Sequence, residues 1–368
     1  MRVAFLFGQV SVGDRPFDFS QIETSKRGLT GTDGSFLYYA RAMADRGHDV
    51  TLFIDKQIEY STWNGIKIRP YVERGSVDRS WDAACAWNDF ASLREVSPSC
   101  ARICNMQLNN FDYARPGDFD FVDQFVAPSN SLIANLKPLG PSHVPWRVLY
   151  NGCNPQDFSR ISKVPGKCIY ASSPDRGLHL LLQQWGKIRA AVPYARLKVF
   201  YHSLPHYFDR IDYLLNSTTH PSDKEHGRRA SIIRDLIKSD GVEYVGSVSR
   251  ARMAQEYSEA KLLTYPCDPT SYTEGYAVAI MEGCASGAVP VISDVDALTE
   301  IYGGVCPMVE SPAHEHIEKW TNLTIEMLVN EDKYSHYQKL GWAHSEKFSY
   351  SVLVKDLERI ITDVRATK

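Results

Sequence analysis

A chain of 368 residues is longer than one hydrophobic core usually grows, so two domains of ordinary size are expected. With 43% hydrophobic and 23% charged residues, it reads as soluble and globular. A formal charge of -3 and a pI near 6.4 exclude a global electrostatic attraction to nucleic acid or to an anionic membrane, and leave only a local basic face open.

The opening MRVAFLFG holds one arginine and an apolar run too brief for the core of a signal peptide; it reads as a first buried strand. No run approaches the roughly 18 to 20 apolar residues of a membrane span, so a cytoplasmic protein is the expectation. Further strand candidates lie at 50–54, 125–127, 147–150, 167–171, 197–201, 242–245, 261–265 and 289–293, with helix-like runs between them. This alternation is the pattern of an α/β protein with parallel sheets covered by helices. In GLTGTDGSFLYYARAMADRGHDV, residues Phe36, Tyr39, Ala40 and Met43 recur at helical spacing, which gives an amphipathic helix entered through a glycine-rich turn.

The plan restarts after Lys167: strand CIYA, turn SSPDRG, then a helix whose Leu178, Leu181, Leu182 and Trp185 share a face. The turn-rich Asn151-Gly-Cys-Asn-Pro155 joins two such α/β domains, residues 1–158 and 159–345, and a terminal segment, 346–368, carries a helix that can cross back to the first. Residues 203–232 are polar and irregular enough to include a mobile loop. The eight cysteines, Cys85, Cys100, Cys104, Cys153, Cys168, Cys267, Cys284 and Cys306, show no Cys-x-x-Cys pair and no zinc spacing, so they read as small buried apolar residues.

The run YTEGYAVAIMEGCASGAVPV sets Glu274 and Glu282 in an otherwise apolar segment. A helix is expected from near Gly275, where the missing side chain lets a ligand approach the backbone; its free N–H groups and positive dipole end would favour a diphosphate. Eight residues of helix rise by about 12 Å, close to the reach of a nucleotide sugar from ribose to hexose, so each carboxylate could grip one sugar ring. The alternative is that Glu282 sits on a solvated helix face and Glu274 is a first-turn acid complementing the dipole. His48 reads as a strand-entry residue and His179 as helix surface.

PCDPTSYTEGYAVAIMEGCASGAVPVISDVDALTEI resembles the donor-binding motif of retaining glycosyltransferases of the GT-B fold (glycosyltransferase group 1, family 4-like), in which two glutamates enclose seven residues and a small-residue helix leads to Gly-x-Pro-Val. GTDGSFLYYARAMADRGHDVTLF, VDQFVAPSNSL, VLYNGCNPQDF, CIYASSPDRGLHLLLQQW and VEYVGSVSRARMAQEYSEAKLLTYP agree with the family in order, so the resemblance covers most of the chain. It implies two Rossmann-like domains facing a central cleft. The second would hold a nucleotide-diphosphate sugar, UDP- or GDP-linked, as co-substrate, with no cofactor and no metal.

In that reading Glu282 holds the ribose, Glu274 the transferred sugar, and Gly275, Tyr276 and Ala277 offer backbone to sugar or phosphate, while Val245 and Gly246 border the base. Gly31 takes the place of the glycine-rich loop that reaches the diphosphate, with Thr30 where the family has a first glycine. The spacing of GLTGTDG, some twenty residues after the first strand, does not fit a dinucleotide fingerprint, which needs a tight strand-to-helix turn. In SSPDRG, Arg176 stands at the family's lysine and Ser173 at its arginine, so one cation for the leaving diphosphate is missing. Many relatives place a histidine near the acceptor; here ICNMQLNNF puts Gln107 or Asn109 there, and neither can act as a general base.

The implied reaction is transfer of a sugar, with retained configuration, to an acceptor that the sequence does not identify: a glycan, a lipid-linked molecule or a small molecule. A sugar-nucleotide epimerase or hydrolase of the same fold is the first alternative, and a catalytically silent nucleotide-sugar-binding module the second. Tyr38, Tyr39, Trp81 and Trp87 could stack on a carbohydrate, though core packing is the simpler use. Arg228, Arg229 and Arg234 could form a basic patch, though solvated surface is the simpler reading.

Overall fold

The computed structural model describes residues 1–8, 29–55, 62–112, 114–115, 117–216 and 221–368. These residues form two compact units, the first drawn from 1–152 and 347–368 and the second from 153–346. None of their helices is long and apolar enough to cross a membrane.

The first unit is built on eight strands: β1 (Arg2–Phe7), β2 (Asp49–Ile54), β3 (Thr62–Trp63), β4 (Ile66–Pro70), β5 (Ala83–Trp87), β6 (Ala101–Asn105), β7 (Gln124–Ala127) and β8 (Trp146–Val148). They lie in the order β3-β4-β2-β1-β5-β6-β7-β8, with every pairing parallel except the β3–β4 hairpin. β1 and β5 are buried along most or all of their length, as a parallel sheet covered on both faces requires. The expected amphipathic helix runs from Gly31 to Asp45. Thr30 caps it: its hydroxyl accepts from the Asp33 N–H at 3.2 Å, and the Asp33 carboxylate accepts from the Thr30 N–H at 3.3 Å. This reciprocal capping box gives Thr30 a local structural role that a glycine could not fill.

The core of this unit joins Phe5, Phe36, Tyr39 and Trp87 to Tyr350, Leu353, Leu357, Ile360 and Ile361 of the terminal helix Tyr350–Ala366. The Tyr39 and Tyr350 rings meet edge to face at 5.1 Å, and Trp87 donates its indole N–H to the Ser35 hydroxyl at 2.8 Å. Of the aromatic residues considered for carbohydrate stacking, Tyr39, Trp81 and Trp87 are buried in packing. His48 does stand at the entry to β2, where its Nδ1 lies 3.0 Å from the terminal amine of Met1 and its Nε2 2.7 Å from Glu358 on the terminal helix.

The second unit has six parallel strands: β9 (Lys167–Tyr170), β10 (Arg196–Val199), β11 (Val242–Tyr244), β12 (Leu262–Tyr265), β13 (Val289–Ser293) and β14 (Met308–Val309). Their order is β11-β10-β9-β12-β13-β14, which counted from β9 is the doubly wound sequence 3-2-1-4-5-6. The winding reverses between β9 and β12, and in sheets of this kind the carboxyl ends of the strands at the reversal are where ligands bind.

Three expectations are revised here. The described residues of 203–232 are more regular than expected, forming the helices Leu204–Asp209, Ile211–Asn216 and Pro221–Leu236; the expected loop can fall only on 217–220, which lie outside the described residues. Polar side chains concealed the third helix because Arg229 is turned inward. Its Nη2 donates to Asp268 Oδ2 at 3.1 Å, its Nη1 to the Asp268 carbonyl and its Nε to Glu225 at 2.9 Å. Arg229 is therefore not a surface charge, while Arg228 and Arg234 pair with their neighbours Glu225 and Asp235.

His179 is likewise not on a helix surface. It is 5% exposed on the helix Leu178–Ala191, which packs against Pro221–Leu236, and its Nδ1 has no hydrogen-bond partner among the described residues. Burial pushes its pKa down from 6.5 to about 4; Arg229 adds to the fall, and Asp268 and Glu225 oppose it.

Two predictions follow from this packing. Leu357→Ala should cost about 2–5 kcal/mol, read as a lower urea midpoint; an unchanged midpoint would show that the terminal helix adds nothing to the first core. His179 is neutral when folded and takes a proton more readily when unfolded, so its share of stability is complete above pH 6.5 and is lost as pH falls toward 4. Acidification from about pH 7.5 to 4.5 should therefore destabilise His179→Gln by roughly 2–3 kcal/mol less than the parent in urea titrations. Parallel losses in the two proteins would contradict this.

Candidate active site

The turn after β9 is folded by its own backbone: the Tyr170 hydroxyl donates to the Ser173 carbonyl at 2.6 Å, and the Arg176 N–H donates to the same oxygen at 3.1 Å. Gly177 follows with φ +92°, and a β-carbon there would stand 1.8 Å from the Pro266 carbonyl oxygen. Only glycine permits that approach. It brings the turn after β9 against the segment after β12, so Arg176 and Glu274 meet across the reversal point.

Glu274 is 5% exposed and forms an ion pair with the Arg176 Nε, while the Arg176 Nη1 bonds Asp175. Burial raises the Glu274 pKa above the usual carboxylate range; Arg176 and the Tyr265 hydroxyl pull the other way without cancelling it. Burial alone would lower the Arg176 pKa, but Glu274 and Asp175 more than reverse that and hold the guanidinium charged. A buried carboxylate beside a guanidinium at a ligand-binding edge is the kind of perturbed group that marks functional sites.

The helix after Glu274 starts later than expected, at Val278, and ends at Ser286. Gly275 and Tyr276 are outside it, and Ala277, the residue before it, takes the left-handed conformation at φ 58°. That conformation costs a non-glycine residue roughly 1–2 kcal/mol and blocks extension of the helix toward Gly275. From Val278 to Glu282 the helix rises by only about 6 Å, so the stretch from Glu274 to Glu282 is not one rigid helical ruler. No side chain caps this helix start, whereas the helices beginning at Gly31, Asn130 and Arg250 are each capped by a hydroxyl. Its N–H groups are thus without the partner a capping side chain would supply.

Glu282 is not on a solvated face. Its carboxylate pairs with Arg250, the first residue of the helix Arg250–Glu259, and Arg250 also lies 3.6 Å from Asp157 and over the Phe158 ring at 5.4 Å. Val245 closes onto β10 through its N–H to the Val199 carbonyl at 2.9 Å, and Gly246 takes φ +83°. Ser173 contributes its carbonyl to the turn described above. Tyr276 is buried near Tyr302, whose hydroxyl donates to the Ala277 carbonyl at 3.0 Å.

Gly31, Gln107 and Asn109 belong to the first unit. Gly31 opens the capped helix described above. The Gln107 N–H donates to Asn88 Oδ1 at 2.6 Å, its amide nitrogen donates to Asn105 Oδ1 at 2.7 Å, and its amide oxygen accepts from Asn151 at 2.7 Å. Asn109 accepts from Asn135 at its carbonyl and from Asn110 at its side chain. Among the described residues no group of His, Cys, Asp or Glu is arranged to hold a metal ion.

Sequence reasoning pointed to both glutamates and Arg176, but not to the residues that contact them here, Arg250, Asp175 and Tyr265. Arg250 follows Ser249 at a helix start, a local signal for the helix but not for the carboxylate it reaches.

No protein-family model matches the sequence, and no curated protein matches it significantly. Solved structures do match, over the whole chain. Sucrose-phosphate synthase from Thermosynechococcus elongatus superposes with a TM-score of 0.69 at 13% identity, covering 100% of both chains. A glycosyltransferase involved in avilamycin A biosynthesis gives 0.68 at 14%, covering 100% of this chain and 99% of the other. Anabaena HepE in complex with UDP and glucose gives 0.66 at 13%, covering 99% and 100%. The chain has the GT-B fold, the architecture of these glycosyltransferases.

Proposed function

We propose that this protein is a retaining glycosyltransferase that moves a sugar from a UDP- or GDP-linked donor to an acceptor hydroxyl without a metal ion. One observation carries the reading: a buried Glu274–Arg176 pair stands at the winding reversal of a doubly wound sheet, next to a helix start that no side chain caps. Glycosyltransferases of the same fold, one of them solved with UDP and glucose, support it.

In this reading the donor diphosphate takes the place of the missing cap on the helix that starts at Val278, where N–H groups and the dipole favour negative charge. Arg176 has five N–H donors, and it spends Nε and Nη1 on Glu274 and Asp175; another can reach a phosphate oxygen. Ser173 adds a neutral contact at most. Glu274 accepts hydrogen bonds from the hydroxyls of the transferred sugar, and Glu282, held by Arg250, accepts from the ribose. Val245 and Gly246 border the base, and Gln107 and Asn109 lie on the acceptor side.

The reaction breaks the bond between sugar C1 and the diphosphate oxygen and forms a bond from C1 to the acceptor oxygen on the same face. The acceptor proton passes to the departing diphosphate. Catalysis rests on positioning both substrates and on stabilising the negative charge that develops on the leaving group. The eight free, buried cysteines fit a reducing compartment, and we place the protein in the cytoplasm on that ground.

UDP or GDP should raise the melting temperature, because a ligand at about 100 times its Kd adds roughly 2.7 kcal/mol to the folded state. Glu274→Gln should lower turnover by roughly 100-fold while the nucleotide Kd stays within a few-fold. No shift with any nucleoside diphosphate, or full turnover in the variant, would overturn the reading. Rapid epimerisation or free sugar from donor alone would point to the epimerase or hydrolase instead.

A further inference from the structure

The backbone of Glu274 is held at both of its polar groups by two consecutive residues after β13. One carboxylate oxygen of Asp296, Oδ2, accepts from the Thr273 N–H at 2.7 Å and from the Glu274 N–H at 2.9 Å. The next residue, Ala297, donates its N–H to the Glu274 carbonyl at 3.1 Å. Asp296 achieves this in the left-handed region at φ 51°, which aspartate tolerates better than most residues because its short side chain bonds nearby backbone. The segment is itself anchored on β14 and the residues just after it: the Asp294 N–H donates to the Val309 carbonyl at 2.9 Å, and the Ser311 hydroxyl donates to the Asp294 carbonyl at 3.0 Å. Further along, the Tyr302 hydroxyl holds the Ala277 carbonyl. The chain from Thr273 to Ala277 is thus pinned at both ends by one neighbouring segment.

We propose that Asp296 is a positioning residue for Glu274: its carboxylate fixes the two N–H groups that set where the Glu274 side chain leaves the backbone, and so holds that side chain against Arg176. This rests on the role proposed above for Glu274. The Asp296 carboxylate acts on the Thr273 and Glu274 backbone N–H groups rather than on the Glu274 side chain. Its contribution is geometric, and small misplacements of a reacting constellation cost rate steeply. A side-chain oxygen with two lone-pair directions suits the task, because that one atom satisfies both donors.

Three substitutions separate the carboxylate from the backbone conformation. Asp296→Asn keeps an acceptor oxygen and tolerates the left-handed region; Asp296→Gly relaxes the backbone but removes the acceptor; Asp296→Ala removes both advantages. Amide hydrogen exchange at Thr273 and Glu274 reads the geometry without any activity. Protection should fall in the Gly and Ala variants and stay near the parent level in Asn. Turnover should fall by roughly 10- to 100-fold in Gly and Ala, with donor KM within a few-fold, and recover to within a few-fold of the parent in Asn. In a Glu274→Gln background, Asp296→Ala should lower turnover little further, since the two act as a unit.

Unchanged protection in the Gly and Ala variants overturns the proposal, whatever the activity. So does normal turnover in those variants while Glu274→Gln is impaired. A rise in donor KM that accounts for the whole loss also overturns it. If Glu274→Gln itself keeps full turnover, the functional reading fails separately, and the exchange data alone decide whether Asp296 fixes the loop.

Discussion

A carboxylate and a guanidinium that share a buried position set the terms for the second unit. Glu274 is almost fully withdrawn from water, and an unpaired charge in that position would cost far more than a domain can tolerate. Pairing with Arg176 makes the burial possible, yet the Glu274 pKa still stands above its ordinary range, so the compensation is incomplete. An apolar pair of similar volume would often be as stable or more so. The pair is therefore poorly explained as a stabilising device.

The surroundings show how much local structure is committed to holding that pair. Gly177 lets the turn after β9 press on the Pro266 carbonyl, Asp296 takes two N–H groups after β12, and Ala277 stands in a conformation that alanine rarely adopts. Strain of this kind persists where the rest of the fold over-determines it, and it collects at functional sites. Glu282 repeats the motif of a carboxylate answered by an arginine, through Arg250. Both acidic side chains of the helix region are thus held in defined directions, and no side chain caps the helix start between them.

Much of this was legible in the sequence. The β-branched and aromatic strands β1, β2, β12 and β13 declared themselves by composition, and the helix at Gly31–Asp45 by its spacing. β5 and β6 did not: AACAW and ARICN carry alanine and cysteine where strand signatures expect branched residues, and their place at the sheet centre comes from burial on both faces. The helix Pro221–Leu236 was hidden for the opposite reason, since its inward face is secured by the ion pairs of Arg229 as well as by apolar residues. At the site, residue type and spacing pointed to Glu274 and Glu282, and the family resemblance pointed to Arg176. The partners Arg250, Asp157 and Asp296 arrive from a helix start and two connecting segments elsewhere in the chain, and no one-dimensional pattern records a contact made by topology.

The most direct test is a crystal structure of the protein with a bound nucleoside diphosphate. The account predicts phosphate oxygens within hydrogen-bonding distance of the N–H groups at the start of the Val278–Ser286 helix, a contact from Arg176, and ribose hydroxyls on Glu282. A nucleotide bound elsewhere on the second unit, with that helix start untouched and Glu282 still engaged only by protein, would contradict it.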